Sequence, residues 1–191
     1  MADNLFDCQP TLANYERAEI LKHFSLVAQI TGGQLHPHAL RLSKENQVLI
    51  SNLRWHQFPG EVVLQRCWAI LVSMHIFLPT AIPGQIRLSN VYGEHSGIPL
   101  SGPPRLEANW SPADLMELYP PATYQILTTT SEPYSLLLAG HQLCFSTYRF
   151  YPSSFYLRAG SFLAHLAERV LAINPQSLQL GRMQAIELPW M

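Results

Sequence analysis

Read for the spacing of apolar and polar positions, the chain opens on a helix over residues 14–30. Ile20, Leu21, Phe24, Val27 and Ala28 share one face at helical spacing. Asn14 is a suitable N-cap, and Gly32-Gly33 stops the helix. Residues 35–42 and 47–55 then read as strands joined by the polar turn 43–46, and Phe58-Pro59-Gly60 reads as a turn. The most hydrophobic segment is 61–77. There Val62, Val63, Leu64, Cys67, Trp68, Leu71, Val72 and His75 form a broad stripe, which predicts a buried helix ended by Pro79.

Residues 80–104 are rich in Pro and Gly and read as an exposed, variable loop with a short strand at 85–91. Ser111-Pro112-Ala113-Asp114 opens a short helix, with Ser111 as N-cap and Pro112 at its first position. Strands are expected at 123–130 and 135–151, the second in two pieces around Gly140-His141. A long helix runs from Pro152 to about Ile173, with Ala159, Phe162, Leu163, Leu166, Ala167, Val170 and Leu171 on its apolar face. The tail holds one more strand at 183–188. The order of elements predicts one α+β domain over 14–191 behind a flexible N-terminus at 1–13, with a largely antiparallel or mixed sheet.

Composition changes this picture in one respect. The 191 residues carry 12 Lys+Arg against 13 Asp+Glu, a net charge of −1, and only 13% are charged while 48% are hydrophobic. An average globular domain is roughly 25% charged, so the surface is apolar or a partner covers part of it. The even balance excludes a sequence-independent grip on nucleic acid. The apolar run from Cys67 to Leu78 is 12 residues, short of the about 20 that cross a bilayer. The polar, acidic N-terminus is unlike a signal peptide. Three cysteines, Cys8, Cys67 and Cys144, sit at no framework spacing, which points to a reducing cytoplasm.

Catalytic motifs are sparse. There is no phosphate loop, no HExxH and no CxxC pair. His36 and His38 alternate on an expected strand and face one side, a metal-ligand spacing. No third ligand is evident, so two surface histidines are the simpler reading, and neither metal nor cofactor is expected. Cys144 and His141 pair as nucleophile and base only if the strand bends at Gly140; otherwise Cys144, like Cys67, is a small buried apolar group. His75 and His165 lie on or beside apolar stripes and read as core or interface histidines. Arg149, within Tyr148-Arg149-Phe150-Tyr151, either presents a rigid fork to an anion or covers apolar area with its stem.

The stretch Asn109-Trp110-Ser111-Pro112-Ala113-Asp114-Leu115, followed by Tyr119-Pro120-Pro121-Ala122-Thr123, resembles thymidylate synthase and its pyrimidine hydroxymethylase relatives. In that family a Trp-Asn-x-x-Asp-Leu segment precedes a Pro-Cys-His nucleophile motif. A strand with a Gln, a second strand and a long helix come next, an order matched here by Gln125, the strand through Leu143 to Arg149, and the helix to Ile173. Gln65 to Leu71 resembles the family's apolar helix, and Val91-Tyr92-Gly93 its Tyr-Gly segment. The likeness spans about 47–173 and implies a thymidylate-synthase-like mixed sheet with packed helices. It also implies a dimer formed through the sheet face.

The departures bear on chemistry. Ala122 stands where the resemblance expects the nucleophilic cysteine, and it cannot form a covalent bond. Thr123 replaces the following histidine, and Gln65 the folate-side carboxylate. Only Arg105 lies near the expected phosphate-gripping arginine pair, and the Gln-Arg-Ser-x-Asp motif survives at best as Tyr148-Arg149-Phe150. The chain is therefore not expected to transfer methyl groups. Three readings follow. One is a degenerate thymidylate-synthase-like binding, regulatory or assembly subunit, dimeric or bound to a protein partner. Another is a repurposed cleft taking a nucleotide or other small anion, gripped by Arg149, lined by Tyr92 and Trp110 and read by Gln125. The third is an unrelated α+β interaction module docking through residues 79–104.

Overall fold

The computed structural model describes residues 17–36, 46–66, 70–92, 99–119 and 132–187. In chain order they form α1 (Arg17–Thr31), β1 (Gln34–His36), β2 (Asn46–Trp55), β3 (Phe58–Arg66), β4 (Ile70–Tyr92), β5 (Leu100–Trp110), α2 (Pro112–Leu118), β6 (Tyr134–Thr147), α3 (Ser153–Ala172) and β7 (Leu180–Ile186). All pairings are antiparallel, in the order β1-β2-β3-β4-β5-β7, with β6 also on β4. The class is α+β, as the order of elements predicts.

The helix expected over 61–77 is instead parts of two strands. Arg66 faces Ile70 across the β3–β4 hairpin, and the ladder runs on to Gly60 and Ile76. Val72, Met74, Ile76 and Leu78 are buried, and Leu71, Ser73, His75 and Phe77 between them are partly exposed. That is a strand's period of two. The residues between the buried ones include Val63, Leu71 and Phe77, so the stripe looks broad and imitates a helix hydrophobic on most sides. The expected loop at 80–104 is likewise mostly strand. β4 continues to Tyr92, and β5 begins at Leu100. The turn placed at Phe58 falls two residues earlier, at His56-Gln57, with Trp55 facing Phe58. Asn14, His38, Cys67 and the strand expected at 123–130 lie outside the described residues.

β4 is the axis of the sheet. β6 pairs with both of its halves, β3 with the first only and β5 with the second only. Register breaks between Phe77 and Gln85, opposite Gly140. There the β4–β6 ribbon folds back. A straight strand as long as β6 would span about 45 Å, yet Arg149 just beyond one end is 3.3 Å from Glu132 just before the other. Tyr134 and Phe145, on opposite arms, have ring centroids 6.1 Å apart. The buried positions of β6 accordingly shift from even (134, 136, 138) to odd (143, 145, 147) across Gly140.

The helices pack against the buried side of this bent sheet. α3 buries Phe155, Tyr156, Ala159, Leu163, Leu166, Ala167 and Val170. Phe24 of α1 meets Phe150 and Tyr156 edge-on, at 5.6 and 5.5 Å. α3 has no capping side chain of its own at Pro152; the Ser153 backbone N–H donates instead to His23 Nδ1 on α1, at 3.1 Å. Ser111 caps α2 as the sequence predicts, its Oγ accepting from Asp114 N at 3.2 Å, with Pro112 at the first turn. Among the described residues no helix is long and apolar enough to cross a membrane.

Candidate functional site

The sequence singles out Arg149, Trp110, Tyr92, Gln125, Gln65 and Ala122. Ala122 and Gln125 lie outside the described residues. Trp110, Tyr92 and Arg149 each have separate partners. Trp110 is buried, and its indole N–H donates to Pro83 O at 2.9 Å. Beside it, Asn109 Oδ1 accepts from Gln85 N at 2.7 Å. Together these two side chains tie down the irregular stretch of β4. Gly84 is required in that stretch, because its φ is +82° and a Cβ there would overlap the Asn109 amide. Tyr92 O–H donates to Pro103 O at 2.7 Å, and the Arg105 guanidinium sits 4.3 Å above its ring. Arg149 is half exposed and paired with Glu132. Gln65 is exposed at the outer end of β3.

The histidines and Cys144 also sort differently. His36 Nε2 lies 2.9 Å from Ser51 Oγ, and His141 Nδ1 lies 3.2 Å from Leu78 O. His165 is exposed on α3 rather than set in the core. The histidine beside Cys144 is His75, its cross-strand neighbour on β4. Sequence reasoning missed this pair because the two residues are 69 positions apart and meet only through the β4–β6 register. The local signal was limited to each residue's place between buried neighbours.

These residues centre a surface made by the outward positions of four strands. Across β2, β3, β4 and β6, one row is Leu49, Val63, Ser73 and Ser146; the next is Glu61, His75 and Cys144; a third is Phe77 and Gln142. The Ser73 and Ser146 hydroxyls are 2.9 Å apart. Ser146 Oγ lies 3.6 Å from Cys144 Sγ, and Cys144 Sγ lies 4.0 Å from His75 Nε2. The Gln142 amide nitrogen donates to His75 Nδ1, which puts the ring proton on Nε2, toward the sulfur.

The Cys144–His75 pair is poorly suited to act as a nucleophile and its base. Burial lowers the pKa of His75, against the pull of Glu61. Burial also raises the pKa of the Cys144 thiol, offset by its hydrogen bond with Ser146 and reinforced by Glu61. Both shifts favour the neutral thiol and neutral imidazole, whereas a reactive cysteine needs the thiolate. The outward face is instead a half-buried surface whose polar groups bond to one another and whose apolar groups, Leu49, Val63, Leu71 and Phe77, stand among them. In comparisons with known proteins, the chain matches no family model, no curated protein and no solved structure.

Proposed function

We propose that this protein is a binding and assembly subunit that pairs with a second copy of itself through the outward face of β2, β3, β4 and β6. The observation that carries this reading is the set of apolar residues at outward positions. Antiparallel sheets with one wet face alternate cleanly between apolar and polar, but here Leu49, Val63, Leu71 and Phe77 break the alternation on the side away from the helices. The low charge content of the chain supports it. An isologous dimer suits such a patch, because each copy offers the same mixture of apolar side chains and small hydroxyls.

The resemblance to thymidylate synthases, which pair through a sheet face, favours the same surface, although the helix it counted on at Gln65–Leu71 has Gln65-Arg66 in β3 and Ile70-Leu71 in β4. On this reading Ala122 takes the place of the lost nucleophile, and the free thiol of Cys144 suits a reducing cytoplasm. Light scattering across micromolar concentrations tests the proposal. Wild type should have twice the chain mass. Val63→Glu combined with Leu71→Glu should be monomeric with an unchanged circular dichroism spectrum, since both side chains point out of the fold. A wild-type chain that stays monomeric throughout overturns the proposal.

A further inference from the structure

A second group of side chains lies on the helix side of the molecule. The β2–β3 turn is held over α3 by Trp55, whose ring packs on Gly160 so closely that a Cβ there would overlap it. This places His56, the next residue, beside Ser161, and it faces His165 and Glu168 farther along the same helix face. His56 Nδ1 is 3.8 Å from Glu168 Oε1, and His165 Nδ1 is 3.3 Å from Glu168 Oε2. The two imidazoles stand edge to face with centroids 5.0 Å apart. One ligand atom from each of the three residues fits within 4.8 Å of the others. Two ligand atoms on a tetrahedral zinc ion, with bonds of about 2.0–2.1 Å, are separated by about 3.3 Å. The His165–Glu168 separation matches that value, the His56 contact reaches the other oxygen of the same carboxylate at 3.8 Å, and rotations of these exposed side chains bring one atom of each to a common centre.

We propose that His56, His165 and Glu168 bind a divalent transition metal, zinc above all, which ties the β2–β3 turn to α3. Two imidazoles and a carboxylate are a donor set that zinc accepts, and they leave a fourth position for water or an external ligand. A further contact completes the arrangement. His56 Nε2 is 3.1 Å from Ser161 Oγ. With Nε2–H donated to that hydroxyl, the Nδ1 lone pair points toward the Glu168 carboxylate, and a metal ion fits between these two acceptors where a proton would otherwise join them. A metal-bound histidine characteristically donates its other ring N–H in this way, which fixes the tautomer.

The full chain, stripped with chelator and dialysed, is titrated with zinc chloride by calorimetry and with cobalt(II) by visible absorption. One equivalent should bind, with a cobalt d–d band typical of low coordination number. His165→Ala and Glu168→Gln should each weaken zinc binding by at least about a hundredfold, and Ser161→Ala by about tenfold as a partner of a ligand. His141→Ala should leave binding unchanged. Circular dichroism confirms that the variants are folded, as the exposure of these side chains predicts. No binding by folded wild type, or binding undiminished in His165→Ala and Glu168→Gln, overturns the proposal. The second result would mean that the three side chains form only a His–Glu ion-pair cluster.

Discussion

His75 makes the outward face readable by titration. Its pKa lies below the ordinary 6.5 because burial opposes the imidazolium, with Glu61 pulling the other way. The sign follows from proton counting. As pH falls below about 6.5, the unfolded chain takes up a proton that the folded chain still refuses. Stability contributed by His75 is therefore complete at neutral pH and is lost as pH falls from 6.5 toward the lower folded value. Urea unfolding at a series of pH values should show a shallower acid decline in His75→Gln than in wild type; parallel curves would mean that the ring is not shielded. Cys144 gives a companion measurement. With Cys8 and Cys67 replaced by Ser, the folded chain should react with iodoacetamide more slowly than the unfolded chain at neutral pH, because burial raises the thiol pKa. A faster reaction would revive the thiolate–imidazolium pair. At this scale the sequence was informative where the partner is local. Ser111 and Pro112 announced a helix start that the structure contains. It was silent where the partner is distant, as with His75 and Cys144, or Arg149 and Glu132.

Among the elements, the helices were legible and the strands between 58 and 110 were not. α1, α2 and α3 each have an apolar stripe at helical spacing or a cap, and they fall within a few residues of their expected places. β3 and β4 defeated the pattern because both faces carry apolar residues, so periods of two and 3.6 fit comparably. The prolines at 79, 83, 103 and 104 suggested a loop, yet all lie in strands, each where the register is irregular. Contact between elements is as specific as their identity. Gly160→Ala should destabilise the fold by about 1–2 kcal/mol: overpacking against Trp55 costs about 1–3 kcal/mol, and the better helix propensity of Ala returns up to about 1 kcal/mol. A lowered urea midpoint checks this. An unchanged or raised midpoint would show that the turn carrying His56 slides freely over α3.

For the whole molecule, the shortage of charge was the most telling property of the sequence. It implied surplus apolar surface without saying where; the half-buried outward residues of β2, β3 and β4 are part of it, and Leu26, Ile30, Leu100, Met116, Leu180 and Met183 are more exposed still. The sequence placed the break of β6 at Gly140-His141, where the structure bends the β4–β6 ribbon; the matching break in β4, between Phe77 and Gln85, was hidden because that stretch read as a helix end and a loop. That same ribbon governs how the chain must reach its native state. β4 has three partners, and its contact with β6 joins Ser73 to Ser146, 73 residues apart. The pairings with β3 and β5 close across short connections, but the pairing with β6 cannot form until distant segments meet, and that long loop must close before any contact rewards it. A chain arranged in this way should refold in milliseconds to seconds rather than microseconds. In that interval the edge of β4 that takes β6 is bare, and its encounter with β6 competes with its encounter with another molecule's β4.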